Sequence, residues 1–423
     1  MLENKKIKSA IGSTTGMVAI TSFSNIFVSL FNIIGGLIVA KLLLPEELGL
    51  FNSFSIFTSY IILMQMGIPS GLSREIPFNF GKGYIEKANQ FAATSSFFLI
   101  FMSVGIALIC CSVAIYYLVN KNYNYAFGSV IVAITCFQTL YVTQYLKVLY
   151  KTNKEFNLLA LINIIVSLVS LFSIFFVWKL GFYGLGIRVF FTALINFLLS
   201  YKWRPIKVKP KWSTNHFKEL FYVGAPIFFV ANIYGLWPTI QRTVILSIGG
   251  TKMLGLYALA SIIQNMLNIV NRSISSVAFP KMTYEYGKGK NFLTVMKIPL
   301  KFVKFSLIFF LIMIPIGWYI LPIIVDSFLP NYVGGVKAAQ WMLIVAFISI
   351  FAVFSNIYMV MKTNMDRLKA YIIGMFVWGI SVYFMNQFHG FKLENFSIAL
   401  LLGYTATYIV DFYFYKMYYK KGI

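Results

Sequence analysis

The sequence predicts an all-α polytopic membrane protein, with about twelve transmembrane helices in two six-helix lobes related by a pseudo-twofold axis along the membrane normal. Three observations predict it. Of 423 residues, 59% are hydrophobic and 18% aromatic while only 11% are charged; a soluble domain would carry about a quarter charged residues. Apolar runs of about 20 residues recur from end to end, each long enough to cross a bilayer core. They are too long and too uniformly apolar to be strands of a membrane barrel. Finally, part of the first half returns in the second at a constant offset.

Taken in order, Lys5, Lys6 and Lys8 precede an apolar run, as in a signal peptide. The run continues to Ala40 without a small-x-small cleavage site, so it reads as a retained first helix. Apolar runs between polar breaks then place spans at roughly 15–40, 49–68, 91–118, 125–146, 158–178, 184–201, 220–246, 254–278, 299–325, 338–361, 370–388 and 395–415. The basic residues test that count. The N-tail, the even-numbered connections and the C-tail hold 27 of the 36 lysines and arginines, with Lys301 and Lys304 at the opening of the ninth span counted with the connection before it. The odd-numbered connections hold one each: Lys41, Lys121, Lys179, Lys252, Lys337 and Lys392. By the positive-inside rule both termini are cytoplasmic. A missed or extra span would have inverted the alternation downstream.

No connection is long enough for a further domain. The longest, around Tyr201 to Glu219, carries WRPIKVKPKWSTNHFKEL, basic and with two prolines. It divides the chain into an N-terminal lobe, 1–210, and a C-terminal lobe, 211–423. The lobes repeat. LGLF at Leu48–Phe51 returns as LGLY at Leu254–Tyr257, 206 residues on, and GKG at Gly81–Gly83 returns as GKG at Gly287–Gly289 at the same offset. Across Leu48–Gly83 against Leu254–Gly289, ten of 36 positions are identical. Six spans per copy give the copies one orientation, and a parallel repeat of this kind predicts a substrate site between the lobes.

A formal charge of +24 would suggest nucleic acid in a soluble protein. Here the lysines lie in short connections and read as topology signals, so no nucleic-acid partner is expected. Cys110, Cys111 and Cys136 all fall in apolar segments and spell no disulfide framework. There is no GxxxxGK[ST] phosphate loop and no metal-ligand spacing, so no cofactor and no metal are expected. Catalytic residues are not found.

The candidate site residues are polar groups inside spans. Ser261, Asn265, Asn268, Arg272 and Ser275 are spaced four, three, four and three, and so line one face of the eighth helix. The seventh shows Asn232, Gly235, Thr239 and Arg242; the first, Thr21, Asn25, Asn32 and Gly36; the sixth, Arg188, Thr192 and Asn196. An arginine on the lipid face near the midplane costs about 2.5–3.5 kcal/mol even on a lenient scale. Such stripes are therefore expected to turn toward a water-filled cavity. For Arg188 and Arg242, near the external surface, snorkelling to headgroups is the alternative. For Asn25 or Asn196 taken singly, a hydrogen bond to a neighbouring helix is the favoured account. Among acidic residues Asp411 is the candidate for coupling to an ion, with an interfacial position near Lys416 as the competing account. Cations and amides without carboxylates suit an anionic, hydroxyl-rich ligand. Tyr234, Trp237, Tyr257 and Tyr404 are candidates for stacking on sugar rings. Gly35–Gly36, Pro226 and Pro238 are candidate hinges.

LLLPEELGLFNSFS (Leu42–Ser55), GIPSGLSREIPFNFGKG (Gly67–Gly83), QRTVILSIGGTKMLGLYALA (Gln241–Ala260) and FLPNYVGGVKAAQWM (Phe328–Met342) together resemble the Wzx-type polysaccharide flippases. These handle O-antigen and capsule precursors and belong to the multidrug/oligosaccharidyl-lipid/polysaccharide exporter (MOP) superfamily. The resemblance implies a transporter, not an enzyme, in the bacterial cytoplasmic membrane. It implies that undecaprenyl-diphosphate-linked oligosaccharide moves from the cytoplasmic to the outer leaflet by alternating access. Membrane lipids and other polysaccharide-assembly proteins are the further partners it implies. Arg242 and Arg272 match the seventh- and eighth-helix places where such flippases hold cavity-facing polar or charged residues. Many relatives carry an acidic residue just before the seventh-helix arginine; here Gln241 stands there, which weakens a coupling role at that point. The alternatives are a multidrug or organic-cation exporter, which would want carboxylates in its cavity, and a membrane-embedded polysaccharide polymerase, which would want a large external loop.

Overall fold

A computed structural model of the chain describes Ser24 and residues 27–420, except residues 290 and 362. Some helical side chains, those of Tyr234 and Arg272 among them, also lie outside the described residues. Every regular element among the described residues is a helix, joined by short connections. α1 covers Phe27–Leu42, α2 Pro45–Ile61, α3 Ile68–Gly81 and α4 Ile85–Val119. α5 covers Tyr123–Thr152, with a π-helical stretch at Gln138–Leu146, and is followed by α6 at Phe156–Phe172 and α7 at Ile174–Lys202. α8 covers Thr214–Leu256, α9 Ala258–Gly287, α10 Phe292–Phe328, α11 Pro330–Val360, α12 Asn364–His389 and α13 Leu393–Lys420. Among the described residues eight helices are long and apolar enough to cross a membrane, or nine if the pair Gly235–Leu256 and Ala258–Gly287, bent by 68°, counts as one. α1 and α6 are apolar but shorter. The chain is a multi-pass membrane protein.

The ends of the helices follow from local chemistry. Pro45 opens α2 and Glu46 and Glu47 fill its first turn, where a fixed φ and negative charge both suit a helix N-terminus. The Glu47 carboxylate reaches back to accept the Leu44 N–H at 3.0 Å. Asn291 caps α10, accepting the Thr294 N–H at 3.1 Å. Two predicted connections are collapsed into single glycines. Inside α7 the backbone leaves helical geometry at Gly181 (φ 55°, ψ −128°), and inside α8 at Gly250 (φ 71°, ψ −173°). At Gly181 the chain doubles back so closely that a Cβ on Gly184 would overlap the Phe176 carbonyl oxygen. The sequence does not predict α3, which occupies the expected second connection; Gly71 in it packs against the Leu220 carbonyl with no room for a Cβ.

The chain forms two compact units: residues 1–43 with 51–232, and residues 44–50 with 233–423. Their division falls inside α8, whereas the expected lobe boundary at 210/211 precedes that helix. In unit 1 a core of Ile68, Leu72, Phe91, Leu99, Tyr145 and Leu149 joins α3, α4 and α5. The basic connection after α7 is strapped onto it. Ile206 is buried and Val208 packs on the core, while Lys207, Lys209 and Lys211 alternate outward. The Lys211 N–H donates to the Ala93 carbonyl at 3.2 Å. In unit 2, Met282, Val295, Phe310, Ile350, Ile357 and Tyr358 form the matching core of α9, α10 and α11.

The repeat is visible in atomic detail. Gly83 and Gly289, 206 residues apart, both turn the chain with positive φ, at 80° and 77°. Ahead of them Lys82 places its ammonium 4.3 Å from the Phe78 ring, and Lys288 places its own 4.4 Å from the Tyr284 ring, again at that offset. The LGL motifs meet inside unit 2. A Cβ on Gly49 would overlap the Thr251 carbonyl, and a Cβ on Gly255 would overlap the Pro45 carbonyl. Gly49 corresponds to Gly255 and Pro45 to Thr251 at the offset of the repeat, so the crossing is reciprocal.

Candidate functional site

Arg188 is the most completely placed of the predicted residues. It lies on α7, half-buried, and its Nε donates to the Ser170 carbonyl at 2.9 Å while Nη2 donates to Ser170 Oγ at 2.8 Å. Both acceptors are on α6. On α1, a Cβ at Gly35 would stand 3.1 Å from Arg188 Nη2, so the glycine makes room for the guanidinium. Asn32, exposed, lies three residues before Gly35 on α1. Asn25 lies outside the described residues. Among the described residues Arg188 has no carboxylate in ion-pair range; the ion pairs of unit 1 are Arg74–Glu75 at 3.8 Å and Lys87–Glu219 at 2.8 Å. Two of the five guanidinium N–H groups serve Ser170, and the fork keeps donors for a ligand.

The α9 stripe faces away from the core of its own unit. Ala260, Ile263, Asn271, Ala278 and Met282 are the buried side, whereas Asn265 is exposed and Ser261, Asn268 and Ser275 are half-buried. Asn271, which is off the stripe, is structural: its amide donates to the Ser349 carbonyl at 3.1 Å and to Ser349 Oγ at 2.9 Å. The side chain of Arg272 lies outside the described residues, so only its place on the α9 backbone is given. Arg242 on α8 is half-buried, directly after Gln241, whose buried amide donates to the Tyr257 hydroxyl at 2.6 Å. Asn232, half-buried at the end of unit 1, donates to the Phe228 carbonyl of its own helix at 2.9 Å.

Three of the four aromatic candidates are corrected. Trp237, Tyr257 and Tyr404 are buried in unit 2, and the Trp237 and Tyr404 rings pack edge to face at 5.1 Å. Gly374 and Gly403 leave the space that the indole fills. These rings form core and cannot stack on a sugar. The remaining candidate, the Tyr234 side chain, is outside the described residues. Apolar surface grooves, of about 560 Å³ along α12 and about 350 Å³ among α4, α5 and α7, contain none of the predicted site residues.

Asp411 is also not the interfacial residue that its neighbour Lys416 suggested. It is 3% exposed and accepts the Tyr358 hydroxyl at 2.7 Å. Beside it Arg367 donates to the Tyr371 hydroxyl at 2.9 Å, and Asp366 accepts from Tyr418 at 2.7 Å and Lys369 at 3.0 Å. The three last helices are thus tied by one polar cluster. Tyr358→Phe removes a hydrogen bond to a buried carboxyl, and is expected to cost about 1.5–3 kcal/mol. Thermal unfolding in detergent checks it; an unchanged midpoint would show that the bond contributes nothing.

These helices, units and paired motifs define a class, the fold of MOP-superfamily transporters. A multidrug-resistance MATE transporter of that superfamily, in an inward-facing conformation, superposes with TM-score 0.74 at 17% identity, over 92% of this chain and 94% of that one. A MOP-superfamily transporter from Pyrococcus furiosus gives 0.64 at 16%, over 95% and 94%. A MATE structure in complex with MaL6 gives 0.65 at 16%, over 95% of each chain. No curated protein sequence matches. The sequence model described as "Polysaccharide biosynthesis protein" matches residues 38–317, well over half the chain. The protein belongs to that polysaccharide biosynthesis family.

Proposed function

We propose that the protein is a flippase that carries undecaprenyl-diphosphate-linked oligosaccharide from the cytoplasmic to the outer leaflet of the bacterial cytoplasmic membrane, by alternating access, for surface polysaccharide assembly. Both termini lie in the cytoplasm in this reading, following the lysine bias. The observation that carries it is Arg188: a guanidinium inside a span, held by a serine, with no carboxylate partner among the described residues. Its uncompensated charge is best satisfied by an anionic group that visits, and the diphosphate is such a group. Family membership supplies the polysaccharide context. The Pyrococcus furiosus relative, whose binding pocket is described as reversed in polarity, supports the same direction of argument.

Organic-cation export, as in the multidrug-resistance relative, would want acidic side chains presented to the ligand. Asp411, a carboxylate buried within a span, is already engaged by Tyr358.

An anion moving outward is driven by an inside-negative potential, about 2.3 kcal/mol per charge per 100 mV. Two charges would supply roughly 5 kcal/mol at 100 mV without any coupling ion. In reconstituted vesicles, flipping of a polyprenyl-diphosphate oligosaccharide is expected to accelerate under an imposed potential of that sign. Flipping indifferent to voltage would rule this energy source out, and no flipping at all would rule out the function.

A further inference from the structure

Unit 1 contains a second cation of the same kind. Lys147, on α5, is half-buried, and its Nζ donates to Asn163 Oδ1 of α6 at 2.9 Å. It makes no ion pair with a described carboxylate. Its charged neighbour is Lys151, one turn on, which adds positive potential rather than offsetting it. A lysine that merely anchors a helix directs its stem outward to the headgroups. Lys147 does the opposite: Asn163 lies seven residues into α6, about 10 Å from its start.

Asn163 and Ser170 are also seven residues apart, which puts them on one face of α6 about 10 Å from each other along the axis. Ser167 lies between them, buried, with its hydroxyl donating to the Ile164 carbonyl of its own helix at 2.8 Å. Ahead of α1, Ser24 Oγ donates to the Ala160 carbonyl of α6 at 3.2 Å, and on α1 itself Gly35 lies beside Ile174 and Arg188 of α7. Leu161 and Phe172, 48% and 76% exposed, occupy the opposite face, suited to acyl chains. The polar side of α6, opposite Leu161 and Phe172, is therefore met by two cations, Lys147 of α5 at one level and Arg188 of α7 at the other.

We propose that Lys147 and Asn163 form an inner phosphate-binding station, joined by the polar face of α6 to an outer station at Arg188 and Ser170. The phosphate-bearing headgroup of the transported lipid docks at the inner station and then passes to the outer one. This rests on the flippase reading above. Ammonium and guanidinium both make charge-assisted hydrogen bonds to phosphate oxygens, and the Asn163 amide and the Ser170 hydroxyl add a polar group at each level. The stations should therefore divide the kinetics: the inner one sets loading, the outer one passage.

The test uses the full-length protein in phosphatidylcholine vesicles with a short polyprenyl-diphosphate disaccharide as probe. Lys147→Gln is expected to raise the half-saturating probe concentration about tenfold, the scale of one charge-assisted hydrogen bond, with the maximal rate preserved. Lys147→Arg is expected to restore loading to within about threefold, which separates lost charge from lost folding. Arg188→Gln should lower the maximal rate instead. Unchanged half-saturation in Lys147→Gln overturns the proposal while leaving the flippase reading intact. Absence of probe movement in the parent protein overturns both. Phosphatidylglycerol is then added to the vesicles. If it weakens loading of the parent as strongly as the substitution does, and leaves Lys147→Gln unaffected, Lys147 holds a bilayer phospholipid and the proposal fails.

Discussion

Gly255→Val is expected to destabilise the protein by about 3 kcal/mol, the upper range for overpacking a filled contact, and Gly49→Val by a similar amount. At both positions a Cβ would fall on a backbone carbonyl oxygen, that of Pro45 or Thr251, and not on a side chain that can swing away. Relief therefore requires the start of α2 to part from the end of α8. Because the two contacts belong to one crossing, the double variant should cost less than the sum of the singles. Gly105, with open space around its missing Cβ, is the control: Gly105→Ala should be neutral or slightly stabilising. Unfolding midpoints in detergent measure all four. A damaging Gly255→Val beside a harmless Gly49→Val would show that the crossing is not reciprocal.

Arg188→Leu is expected to reduce flipping at least tenfold without lowering the unfolding midpoint. The two readouts separate roles. If the guanidinium were only a tie between α7 and α6, losing its two bonds to Ser170 would weaken the fold. If instead it is a charge held in a span for a ligand, replacing it by an apolar side chain removes an unfavourable burial, and stability holds or rises. A variant that melts earlier yet still flips would assign Arg188 a structural role.

The membrane-spanning character was legible in the sequence because hydrocarbon imposes long apolar runs; about twelve spans are expected from the sequence, and among the described residues eight helices, or nine with the bent pair, are long and apolar enough to cross. The register of the repeat was legible too: LGL and GKG mark a close backbone crossing and a left-handed turn, each needing glycine for a steric reason. α3 was not legible. IPSGLSREIPFNFG is short, mixed in polarity and carries two prolines, and it is helical because unit 1 offers Leu220 and the α4–α5 core to pack against. Lys147 read as one more connection lysine, since nothing in the local pattern reveals that Asn163 stands opposite it on the next helix. Trp237 looked available for sugars because the glycines that make room for its indole, Gly374 and Gly403, come from helices far along the chain. Asp411 looked interfacial because Tyr358 is 53 residues away.

The account stands or falls on whether an anionic lipid-linked glycan is the cargo of these uncompensated cations. Depleting the protein in cells that still synthesise the glycan, then extracting and mapping the polyprenyl lipids by leaflet, measures this most directly. The expected result is a build-up of polyprenyl-diphosphate glycan confined to the cytoplasmic leaflet, relieved by the parent gene and not by one encoding the double variant Lys147→Gln, Arg188→Gln. Normal delivery of that lipid to the outer leaflet after depletion, with no build-up, would contradict the account.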